Sequence, residues 1–110
     1  MAYDEALAGR IRELLEGQSR LEEKKMFGGL AFLIGGNMAI AASGQGGVLV
    51  RADPAESDKL IATTNAEAFE MRGRTMKGWL RVAPKYVRTK PQLANWVGVG
   101  TTYAQSLPRK

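Results

Sequence analysis

Lys24 and Lys25 stand just ahead of Met26, Phe27, Gly28 and Gly29. Cations beside backbone without side chains are what a phosphate-gripping loop uses. The spacing does not fit that use. A Walker loop needs two glycines five apart followed by Lys and Ser or Thr, and a dinucleotide loop needs G-x-G-x-x-G ahead of a helix. Here the lysines precede the glycines, and "GQGG" at residues 44–47 begins G-x-G but runs on into the apolar stretch Val48, Leu49, Val50. "KKMFGG" therefore reads as the start of a sheet's first strand, with Gly28 and Gly29 leaving room for a helix to approach over Trp79 or Trp96.

The second place where chemistry is visible is the stretch "MRGRTMKGWLRVAPKYVR". Trp79 and Tyr86 are interleaved there with Arg72, Arg74, Lys77, Arg81, Lys85 and Arg88, as on a surface where bases stack between phosphate contacts. Charge is divided along the chain. Residues 1–70 hold all eleven acids against seven bases, a net of −4; the rest hold nine bases and no acid, a net of +9, for a total of +5. Such a segment meets nucleic acid, an acidic protein or an anionic ligand, or is a solvated surface that the acidic half partly neutralises. In the last case Trp79 belongs to a core or a dimer interface.

Bond-making groups are few. With no histidine there is no Ser-His-Asp arrangement, and with no cysteine there is no thiolate nucleophile, thiolate metal site or disulfide. The acids form scattered pairs: Glu22 with Glu23, Asp53 with Glu56, Glu67 with Glu70. Asp53 and Glu56 are explained by helix capping, and Glu70 lies two residues from Arg72, placed for an ion pair on one strand face. A magnesium site on one carboxylate leaves no signature in a sequence. The expectation is no catalytic residue, no metal and no cofactor.

The elements that position these residues follow from periodicity. Leu7, Ile11, Leu14 and Leu15 mark one face of a helix between Tyr3 and Gly17. "MFGGLAFLIGG", "NMAIAAS" and "VLVRA" are three strands, with turns at Gly35, Gly36, Asn37 and at Gly44–Gly47, residues that tolerate positive φ. "DPAE" starts a second helix, with Asp53 as N-cap, Pro54 first and Glu56 closing a capping box. "AFEMRG" and "GWLRVAP" are two more strands joined around Gly73 to Gly78. Thr89 and Gln92 cap a last helix that buries Leu93, Trp96, Val97, Ala104 and Leu107, weakened at Gly98 and Gly100 by about 1 kcal/mol each.

This order, α-β3-α-β2-α, predicts an α+β two-layer sandwich: an antiparallel five-stranded sheet with helices on one face. The other face is wet or holds a partner. At 110 residues the chain fits one domain, residues 1–110. "MAYDEALAGR" carries acids where a signal peptide carries bases, and the longest apolar stretch, Leu30 to Ile34, falls far short of the roughly 20 residues of a membrane span. The cytoplasm is the expected location.

Four segments together, "KKMFGGLAFLIGGNMA", "LVRADP", "FEMRGRTMKGWLRV" and "YAQSLP", resemble the N-terminal domain of the TfoX/Sxy competence-regulator family, over about residues 3–108. Met26-Phe27-Gly28-Gly29 and Phe69, Arg72-Gly73, Met76, Gly78-Trp79 carry the likeness. The resemblance implies a secretion-chaperone-like α+β fold and kinship with regulators of bacterial DNA uptake, and it supplies no catalytic residue. It implies a standalone copy, without those regulators' C-terminal helical domain. Two functions are expected from this reading. The first is a non-enzymatic binding or regulatory module, a homodimer working through its free sheet face and the bases from Arg72 to Arg88, with protein or nucleic acid as partner. The alternative is an anion- or nucleotide-binding enzyme, or an accessory to one, using Lys24, Lys25 and Arg72.

Overall fold

The computed structural model describes residues 3–26, 28–71 and 73–108. In chain order the elements are α1 (Glu5–Leu14), β1 (Leu21–Met26), β2 (Gly29–Ile34), β3 (Asn37–Ala42), β4 (Val48–Arg51), α2 (Pro54–Thr63), β5 (Glu67–Met71), β6 (Arg74–Val82) and α3 (Lys90–Ser106), with one 3₁₀ turn at Pro84–Tyr86. The strands form one open antiparallel sheet in the order β1-β2-β3-β4-β6-β5.

The sheet has six strands, one more than the five expected. The added strand is β1, "LEEKKM", whose four central residues are charged and exposed. It is an edge strand, so neither of its faces needs an apolar side chain, and charge there blunts pairing with other chains. "KKMFGG" is consequently the end of β1, a hairpin turn and the first residue of β2, not the start of the first strand. Met26 pairs with Gly29 across that turn, and Gly28 has φ +74°. Among the described residues no helix or tryptophan atom is among the nearest neighbours of a methyl placed on Gly29. Its close neighbours are backbone, the Ala42 carbonyl and the Gly44 nitrogen.

The other turns differ in detail from those expected. Gly35 and Gly36 have φ +61° and +84°, as a two-residue hairpin turn of type I′ requires. Asn37 is not part of that turn: it opens β3, is 2% exposed, and its side-chain amide donates to the Pro108 carbonyl at 2.9 Å. The β5–β6 turn is at Gly73, φ +77°, and Gly78 lies within β6. Ala68 pairs with Leu80 but Phe69 with Met76, so Lys77, Gly78 and Trp79 bulge out of the β5 ladder. Gly78 takes φ +83° there, and its carbonyl accepts from Ala52 N at 2.7 Å.

Helix starts follow the capping chemistry. The Asp4 carboxylate accepts from Leu7 N at 3.1 Å and Asp53 from Ala55 N at 2.9 Å. Thr89 and Gln92 exchange the two bonds of a capping box, at 3.2 and 3.1 Å. The box expected at Glu56 does not close among the described residues; Asp53 caps α2 alone.

The main core lies between the sheet and the helices. Leu7, Ile11 and Leu15 at the first helix and Leu93, Trp96 and Val97 of α3 pack with Leu30, Phe32, Ile40, Val50, Leu80 and Val82, and Leu60 and Ile61 of α2 join its margin. A β-bulge brings the sheet backbone close against α3. Phe32 pairs with Ile40 and Leu33 with Met38, leaving Ala39 as the extra residue, and the Ala39 carbonyl lies against Gly100 of α3.

The first helix is tied to the edge strand by a bidentate ion pair: Arg12 Nε and Nη2 donate to Glu23 at 2.6 and 2.8 Å. Hydrogen bonding to Arg12 holds the Glu23 carboxyl below its ordinary range. Since the folded pKa is the lower one, the pair stabilises above the unfolded carboxyl pKa, and that contribution fades as pH falls through the folded value. Glu23→Gln therefore lowers the urea midpoint at neutral pH and leaves it unchanged once acid has protonated Glu23 in the parent. The effect is small, because the side chains are 52% and 34% exposed.

Candidate functional site

The sheet face away from the helices carries its own apolar cluster. Ala31, Met38, Ala41 and Leu49 are buried there, packed by Met26, Leu33, Phe69 and Trp79. Among the described residues no helix residue belongs to this cluster, and side chains of both sheet edges close over it, so the sheet curls. A flat sheet of six strands holds its edges about 24 Å apart at ordinary strand spacing. Here Met26 of edge strand β1 and Phe69 of edge strand β5 line one recess of about 490 Å³, with Gly29, Ala41, Leu49 and Arg81 between them. Small residues at Ala31 and Ala41 leave the inside of the curve free.

Strand register decides which charges reach this face, because directly opposed residues share a side. Lys24 opposes Ala31 and belongs to the helix-free face; Lys25 opposes Leu30 and belongs to the helix side. The lysine pair is thus split across the sheet. Arg81 opposes Leu49 on the helix-free face and donates to the Gln45 carbonyl at 3.2 Å, which ties it to the β3–β4 loop. Arg74 and Met76, two apart on β6, share the face of Phe69, and Met76 is 37% exposed. Lys77 points the other way, to Asp58 of α2 at 3.9 Å.

The aromatic and basic residues of the C-terminal half do not form one platform. Trp79 packs on the helix-free face, whereas Tyr86 packs at the margin of the main core with Lys85 Nζ 5.1 Å from its ring centre. Among the described residues Arg88 makes one hydrogen bond beyond its own neighbours, its carbonyl accepting from Arg10 Nη2. Arg72 and Phe27 lie outside the described residues. Gly29, Gly73 and Gly78 shape turns and bulges around the recess, with Gly28 at the tip of the first hairpin.

Two residues that the sequence did not single out complete this region. The Arg51 guanidinium, at the end of β4, lies 4.8 Å from the Trp79 ring centre and 5.5 Å from that of Tyr103 in α3. "LVRADP" gives no hint of that, since the partners come from β6 and α3. On the helix side, α2 and α3 border a larger open groove of about 720 Å³, past Leu60, Ala94, Gly98 and Val99. Among the described residues no three acids gather as metal ligands would, and no helix is long and apolar enough to cross a membrane.

A search of the curated proteins found no match. The family model of the TfoX N-terminal domain matches residues 13–103, from the end of the first helix through most of α3, and so covers the whole sheet and its curled face. The chain belongs to the TfoX N-terminal domain family.

Proposed function

We propose that this domain is a binding module rather than a bond-making catalyst. Its contact surface is the curled, helix-free face of the sheet, and its occupant is an acidic polypeptide segment bearing a large apolar side chain. The observation that carries this reading is the second apolar cluster, Ala31, Met38, Ala41 and Leu49, opening into a recess of about 490 Å³. That volume suits one or two large side chains. The chain's net charge of +5 favours an acidic occupant, and by register Lys24, Arg74 and Arg81 share the face with Glu22 and Glu67, while Glu70 also lines the recess.

Display of random peptides against the purified domain tests this. The expected winners combine Asp or Glu with Leu, Phe or Trp, and two variants weaken them. Lys24→Glu, on an exposed edge, reduces affinity several-fold, and Ala41→Leu fills the recess and abolishes binding. Circular dichroism confirms that each variant is folded. Enrichment without acids, or binding indifferent to both variants, overturns the proposal. So does a light-scattering mass of about 24 kDa, twice the 12.0 kDa chain, that persists in the parent and is lost in Ala41→Leu, because a second copy then fills the face.

A further inference from the structure

Arg51 is held by aromatic rings on two sides, yet among the described residues it has no hydrogen-bond acceptor. Its guanidinium is 4.8 Å from the centre of Trp79 and 5.5 Å from that of Tyr103, one ring from the sheet and the other from the helix layer. Its hydrogen-bonding fork meets no acceptor and no carboxylate among the described residues, although Asp53 and Glu56 follow within five positions. Other cations of this region are engaged: Arg81 on the Gln45 carbonyl, Lys77 with Asp58, Lys85 over Tyr86. Stacking restricts the rotamers of a long side chain without using its N–H groups, so the ordering cost of a bidentate contact is already met.

We infer that Arg51, clamped by Trp79 and Tyr103, is a receptor for a single carboxylate. A carboxylate matches the planar fork with two parallel N–H···O bonds. Nucleic acid does not suit the place: a phosphate backbone needs several cations in line, and here one arginine is followed by the acids Asp53 and Glu56. The N-terminus of α2 is not part of the receptor, since Asp53 already occupies its first free donors. For the identity of the natural partner this inference rests on the acidic-segment reading above; the receptor itself is tested with a small probe.

The probe is N-acetyl-aspartate N-methylamide, titrated into ¹⁵N-labelled full-length domain while the Arg51 Nε–H and Trp79 indole signals are followed by NMR. Saturable shifts are expected, with a Kd on the order of tens of millimolar, as one bidentate ion pair gives. The asparagine analogue, isosteric and uncharged, gives none. Arg51→Lys keeps the charge and loses saturation; Tyr103→Leu keeps the arginine, releases one wall and weakens binding several-fold. Equal shifts from the asparagine analogue overturn the inference. So does binding unchanged in Arg51→Lys, or inorganic phosphate binding tighter than the probe while moving other Arg and Lys signals with it. Probe binding at Arg51 without acidic winners in the display experiment leaves the receptor standing and removes the proposed partner.

Discussion

Gly100→Ala destabilises the domain by about 2 kcal/mol, and Gly98→Ala, two residues earlier on the same helix, stabilises it by about 0.5–1 kcal/mol. Helix propensity favours alanine at both sites by about 1 kcal/mol. Packing decides otherwise at one of them. A methyl group on Gly100 would fall well inside van der Waals contact distance of the Ala39 carbonyl oxygen and 2.8 Å from its carbon. These are backbone atoms of a bulge at the centre of the sheet, so they cannot rotate away, and overpacking of this kind costs about 1–3 kcal/mol or more. A methyl on Gly98 meets nothing within 4 Å. For a domain of this size the fall at Gly100 appears as roughly 10 °C in Tm. Thermal unfolding of the two variants side by side is the measurement; a Gly100→Ala domain as stable as its parent would mean that α3 does not press on Ala39.

Gly29→Ala costs more still, a loss of about 3 kcal/mol, whereas Gly28→Ala loses only about 1 kcal/mol. The added methyl at Gly29 runs into the Ala42 carbonyl oxygen and comes within 3.1 Å of Gly44 N, so β2 and the end of β3 would have to separate. At Gly28 there is open space, and the cost is that of a left-handed backbone, φ +74°, for a residue with a Cβ. Denaturant titration separates the two. If these glycines instead cradled an anion without packing on β3, both variants would keep their urea midpoints in the absence of ligand and lose the rise that a bound anion gives.

Much of this architecture was legible because local rules and tertiary packing agree. Asp53 and Thr89 cap where their side chains lead one to expect, and Leu7, Ile11 and Leu15 are buried on one stripe. The misreadings have physical causes. β1 carries Glu22, Glu23, Lys24 and Lys25 on an edge, where burial imposes no alternation, so periodicity is silent. Gly78 looks like a turn because φ is positive there, but the same conformation serves a bulge inside β6. The candidate site was harder still. Lys24 and Lys25 are adjacent in sequence and therefore on opposite sides of a strand, while Arg51, Trp79 and Tyr103 meet only because β4, β6 and α3 converge. Spacing along the chain carries no record of that meeting.

The charged rim strand has a consequence for colloidal behaviour. Any chain that tried to lengthen the sheet beyond β1 would have to strip water from two carboxylates and two ammonium groups lying side by side, without a core to compensate. Cross-β growth is thereby opposed at the β1 margin of the sheet, which favours solubility at high concentration over fibrillation.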